Sequence, residues 1–203
     1  KFRVVKPDLP GRGDTVAPSA GSMEDYADFL EAILQALEAP AGLAGFSMGG
    51  YAALALARRR PEKLAALALV DTRAQPDDEA GRAKRDEAIA TARSGGVEPI
   101  ADAMVPKLLS PASLGNRDLV ERVRRIMLRQ KPETVAGDLA AMRDRADARP
   151  ALSGIAVPTL VVVGAEDALT PPADAEGQVG ATGRPSRRVA FHRQWYRRDP
   201  TGG

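Results

Sequence analysis

Hydrophobic residues change their spacing several times along the chain, and each change marks an element. Residues 2–5, "FRVV", make a short apolar run closed by "PDLPGRGD", which is rich in turn formers, so a strand is predicted there. From residue 22 the period turns helical: Tyr26, Phe29, Leu30, Ile33, Leu34 and Leu37 recur at three- and four-residue steps. Ser22 with Asp25 supplies a capping box at its start. Pro40 and Gly42 break that helix, and residues 43–46, "LAGF", predict a short strand. A second helix is predicted from about residue 48 to 59. It stops before Pro61, whose ring disfavours the helical conformation in the preceding residue. Residues 64–71, "LAALALVD", are continuously apolar over a strand's length, the pattern of a parallel strand buried on both faces.

From residue 75 to about 150 the pattern changes. Charge is dense, no strand period appears, and helical segments alternate with the breakers "SGG", "SP" and "KP". One helix, "RDLVERVRRIMLRQ", sets Leu119, Val123, Ile126 and Met127 on one face. Strand character returns at residues 157–164, "VPTLVVVG", followed by "AEDALTPP". These elements predict an α/β fold with a mostly parallel sheet and an inserted helical cap. The units are 1–74 (first part of the core), 75–150 (cap), 151–176 (second part of the core) and 177–203 (a basic tail without helical period).

Length and charge narrow the picture. The chain has 203 residues, enough for one domain with a sizeable core. It has no cysteine, which excludes disulfides and thiolate metal sites and fits a reducing, cytoplasmic setting. No apolar run approaches the roughly 18 residues of a membrane span. The formal charge of +2 is uneven: residues 177–203 carry six Arg against one Asp, leaving the rest at −3. The tail lacks lysine and dense clustering, so neither nucleic acid nor membrane is expected as a partner.

The stretch "AGLAGFSMGGYAALALA", residues 41–57, carries the chemistry. Ser47 stands between Gly45 and Gly49 where an apolar strand gives way to an Ala- and Leu-rich helix. In a G-x-S-x-G elbow the serine sits on a strained strand-to-helix turn, and the residues two before and two after must be small. The hydroxyl is then raised above the sheet, and the next N–H points where an oxyanion would form. No phosphate-cradle pattern runs through residues 41–52.

The chain resembles the α/β-hydrolase superfamily, in its small cap-bearing esterase and lactonase-like branch. The motifs that carry this are "PDLPGRGD", "GFSMGG", "LALVDTRA" and "VPTLVVVGAEDALTPP", in order over residues 1 to about 176. The resemblance implies a Ser–Asp–His triad with Ser47 as nucleophile and Asp167 as acid, and Met48 as an oxyanion donor through its backbone N–H. Asp71 is the runner-up acid, and a turn-forming role for Asp167 is the plainer alternative. The reaction implied is hydrolysis of a small-molecule carboxylic ester, thioester or lactone through an acyl-enzyme, with no metal and no cofactor.

Three departures from the family set further expectations. The strand at residues 2–5 resembles the family's fourth, so the first three and their oxyanion loop are expected to be missing. That leaves a gap in the sheet. After residue 176 the sequence diverges as if its reading frame had changed. His192 is the sole histidine, but no glycine precedes it, so its imidazole is expected beyond the ~3.2 Å reach of Ser47. The competing reading is therefore a catalytically silent fragment that at most binds small apolar ligands.

Overall fold

The computed structural model describes residues 3–16, 20–37, 41–183 and, as backbone, 186–191. Its sheet has four parallel strands in the order β1 (Ala41–Phe46), β2 (Leu64–Val70), β3 (Thr159–Gly164) and β4 (Ser186–Phe191). Helix α1 (Met23–Ala36) precedes β1, α2 (Met48–Arg59) joins β1 to β2, and α8 (Pro172–Ala181) joins β3 to β4. Between β2 and β3 run α3 (Glu79–Gly95), α4 (Glu98–Leu108), α5 (Pro111–Leu114), α6 (Arg117–Leu128) and α7 (Pro132–Arg143), with no strand among them.

Helix α1 starts as its cap demands: the Ser22 hydroxyl accepts from the Asp25 N–H at 3.1 Å. Asp25 returns the bond one residue early, to the Gly21 N–H at 2.9 Å. Met23, Tyr26, Ala27 and Leu30 form the buried stripe of α1, which packs on α2. Arg58, Arg59 and Arg60 at the end of α2 reach back to Glu24, Asp28 and Glu31 on α1. These half-exposed pairs are worth under about 1 kcal/mol each.

Three sequence readings need correction. Residues 3–9 belong to no strand, and Val4 and Val5 are 75% and 45% exposed. An extended segment becomes a strand only where a neighbour takes its N–H and C=O groups, and β1 is the edge of the sheet among the described residues, with no described strand beyond it. The expectation that β2 is buried on both faces also fails. Leu67, Leu69, Val161 and Val163 lie on one face and share a single core with α1, α2 and Ala175 of α8. The other face stays partly open, with Leu160 39% and Phe46 65% exposed. Helices must lie on both sides to bury a parallel sheet fully, and here the core gathers on one side.

The third correction concerns residues 177–203, expected to be irregular. Residues 177–181 complete α8, and residues 186–191 form β4 in register with β3, Ser186 opposite Thr159 and Phe191 opposite Gly164. A strand added to a waiting edge draws on backbone bonds, which a helical-period search does not detect.

The five-helix excursion has a small core of its own, Ile89, Ala92 and Ala136, where α3 meets α7. It is fastened to the body at two points. Asp138 on α7 accepts hydrogen bonds from Arg12 and from the Tyr26 hydroxyl, and Thr134 donates to the Gly11 carbonyl at 3.1 Å. At its base Asp77, whose side chain is 2% exposed, pairs with Arg73, Arg85 and Arg145. Arg145 also donates to the Gln75 carbonyl at 2.9 Å and lies over the Tyr51 ring, 4.2 Å from its centroid. Ala148 closes the base through its N–H to the Ala74 carbonyl at 2.9 Å.

Candidate active site

Ser47, Asp71 and Asp167 follow the C-terminal ends of three neighbouring strands, β1, β2 and β3. In parallel α/β sheets that end is where ligands bind. Ser47 has φ 50° and ψ −116°, a conformation that a residue with a Cβ rarely adopts. Its N–H donates to the Val70 carbonyl at 2.9 Å, so the turn begins while still tied to β2. Its carbonyl accepts two bonds, from the Gly50 N–H at 2.8 Å and the Thr72 hydroxyl at 2.9 Å. The Ser47 hydroxyl itself makes no bond to a described residue, and Ser47 as a residue is exposed. The 75–150 helices thus leave Ser47 open to water. Met48 is the first residue of α2, where N–H groups have no partner within the helix. An oxyanion above Ser47 would also meet the positive end of the helix dipole.

The glycines that make this turn possible are only partly those of the motif. A Cβ on Gly45 would stand 2.4 Å from the Gly49 carbonyl oxygen and 2.7 Å from the Gly50 Cα. On Gly50 it would run into the Thr72 side chain at 2.5 Å, whereas on Gly49 it would meet nothing within 4 Å. Gly45→Ala is expected to destabilise the chain by about 1–3 kcal/mol. Gly49→Ala should be neutral or gain up to about 1 kcal/mol, because alanine favours a helix over glycine. Urea denaturation of the two variants checks this, and equal losses would contradict the geometry.

Asp71 and Asp167 stand together. Both flank Gly164, which donates its N–H to Asp71 at 2.8 Å. Asp71 has φ 43°, the one other described non-glycine residue with positive φ. Burial pushes its pKa up, the Gly164 N–H opposes this, and the neighbouring Asp167 carboxylate raises it further. Asp167 accepts from the Leu169 and Thr170 N–H groups at 2.8 and 2.9 Å and from the Thr170 hydroxyl at 2.8 Å. It thus shapes the "DALT" turn, as the plainer alternative foresaw. Three accepted bonds leave about one of a carboxylate's four lone-pair sites for another donor. β1 and β3 are two strand spacings apart, about 10 Å, a gap that one imidazole with a hydrogen bond at each end can bridge. His192 lies outside the described residues. It is the next residue after Phe191, where β4 ends beside β3.

Two residues that sequence reasoning passed over belong to this neighbourhood. Thr72 is 4% exposed and holds the Ser47 carbonyl. Gln178, 1% exposed, donates to the Thr72 carbonyl at 2.8 Å. Only the position of Thr72, directly after Asp71, hinted at a role. Among the described residues no group of three or more His, Cys, Asp or Glu is placed to hold a metal ion, and no helix is long and apolar enough to cross a membrane.

The chain belongs to the alpha/beta hydrolase fold family, whose sequence model matches residues 1–193. The match runs past residue 176, where the motifs of that fold give out. A pimeloyl-[acyl-carrier protein] methyl ester esterase of Neisseria meningitidis is 32% identical over 173 residues, 81% of this chain and 65% of that protein. The chain thus spans under two thirds of that relative's length. Among solved structures, a thermophilic esterase from Thermogutta terrifontis superimposes with a TM-score of 0.84 at 35% identity, over 91% of this chain and 69% of that one. An enol-lactonase from Burkholderia xenovorans gives 0.80 at 27% identity, over 91% and 70%.

Proposed function

We propose that the chain carries a serine ester hydrolase site acting on a small-molecule carboxylic ester, thioester or lactone. The observation that carries this is the strained backbone of Ser47 at the tip between β1 and α2. Such strain persists where it serves to present a side chain. In this reading the Ser47 Oγ adds to the substrate carbonyl carbon while its proton passes to a base. The bond to the leaving oxygen or sulfur then breaks, and the leaving group takes that proton. Water reverses the sequence, restoring the Ser47 hydroxyl and releasing the acid. Met48 donates its N–H to the oxyanion, and Asp167 orients the base and stabilises its charged form. The base is His192, the chain's sole histidine. The finding that favours it is β4, the strand that leads into it alongside β3.

The relatives named as a methyl ester esterase and an enol-lactonase support the ester and lactone classes. A second reading, the silent fragment, draws on one observation, the exposure of Ser47. A fluorophosphonate probe separates the two, because it reacts with an activated serine. We expect the adduct on the peptide containing Ser47, formed faster in the native than in the heat-denatured chain. His192→Ala should slow it by about 10²–10⁴-fold, the usual worth of a general base. Labelling no faster than in denatured chain would leave the silent reading standing.

A further inference from the structure

We infer that Thr72, held in turn by Gln178, is the positioning residue that locks the strained turn at Ser47. This rests on the serine hydrolase reading and adds to it a residue that does not touch the substrate. A left-handed serine costs of order 1–3 kcal/mol, and it stays there only where its surroundings over-determine it. The surroundings here are few and specific. The Ser47 N–H is bound to Val70 of β2, and its carbonyl is held from two sides, by the Gly50 N–H and the Thr72 hydroxyl. Thr72 also fills the space beside Gly50 so closely that a Cβ there would be 2.5 Å from it. Rotation of the Ser47 peptide toward a relaxed conformation breaks the Thr72 bond and leaves a buried hydroxyl without an acceptor, at a cost of about 1–3 kcal/mol.

Thr72 is itself fixed. Its carbonyl takes the Gln178 amide N–H at 2.8 Å, and the same nitrogen reaches the Asp174 carbonyl at 3.3 Å. Both partners are carbonyl oxygens, which sets the amide's orientation. The Gln178 Oε1 is buried without a hydrogen-bond partner among the described residues. A residue serving only as packing would be apolar there, so it is the amide N–H that the site uses. The line Gln178, Thr72, Ser47 thereby joins α8 to the turn between β1 and α2.

The test compares Thr72→Val, which removes the hydroxyl but keeps the volume, with Thr72→Ser, which keeps the hydroxyl. Gln178→Met serves as a second route to the same bond. Amide hydrogen exchange at Ser47 and Gly50 is expected to speed up at least tenfold in Thr72→Val and to return toward the parent rate in Thr72→Ser. With an ester substrate, kcat should fall about 10- to 100-fold in Thr72→Val, with KM held within about twofold, and Thr72→Ser should restore most of it. Unchanged exchange at both amides in Thr72→Val and Gln178→Met would overturn the inference. So would faster exchange with an unchanged kcat. If the parent chain is neither labelled by the fluorophosphonate nor active, the hydrolase reading fails, and exchange alone then decides whether Thr72 locks the turn.

Discussion

Replacing Ser47 by alanine is expected to bring ester hydrolysis down to background, a loss on the order of 10⁶ in kcat for a complete relay. Glycine at the same position should be equally inactive and yet more stable than the parent. The reason lies in the backbone. Alanine keeps the Cβ that makes φ 50° unfavourable, whereas glycine removes it. Ser47→Gly is therefore expected to gain about 1–2 kcal/mol, and Ser47→Ala close to nothing. For a chain of this size 1 kcal/mol corresponds to roughly 2–4 °C in Tm. Thermal unfolding of the pair reads the strain directly, independent of substrate. A glycine variant no more stable than the alanine variant would mean the turn stores no strain.

The second large effect is expected at the base of the helical excursion. Asp77 is the shared acceptor of Arg73, Arg85 and Arg145, and the Arg145 side chain is only 4% exposed. Burial works to raise the Asp77 pKa, but Arg145 and Arg85 outweigh it and bring it from 3.8 to about 2. A depressed carboxylate stabilises the fold above its unfolded pKa and loses that contribution as pH falls through the folded one. Here the window runs from about pH 4 down to pH 2, and the amount is about 2 kcal/mol. Asp77→Asn also removes the buried charge that three guanidinium groups share, so the loss at neutral pH should be about 3–5 kcal/mol. Urea denaturation at pH 7 and at low pH measures both. The gap between parent and variant should narrow as pH falls below 4, and a gap constant with pH would show that the carboxylate's charge is not what matters.

Much of the fold and part of the site were legible in the residues. Period three-to-four spacing located α1, and the apolar runs located β1, β2 and β3, because local burial imposes those periods whatever the fold around them. The G-x-S-x-G pattern located Ser47 between strand and helix, since few sequences tolerate so sharp a turn. What the sequence could not decide depended on partners distant in the chain. Residues 3–5, the described part of the predicted first strand, have strand composition and yet form none, because β1 is the edge of the described sheet and no described strand takes their backbone bonds. Residues 186–191 sit in a stretch without helical period and yet form β4, because the edge of β3 offers them a full ladder. The motif pointed to Gly45 and Gly49, but close approach falls on Gly45 and Gly50, a matter of where Thr72 packs. By its own pattern the sequence determined α1, α2, β1, β2 and β3, and the serine at the sharp turn. Tertiary structure decided which strands find neighbours, that Asp71 and Asp167 flank one glycine, and that Thr72 holds the Ser47 carbonyl, because each is a contact between residues far apart in the chain that no local period records.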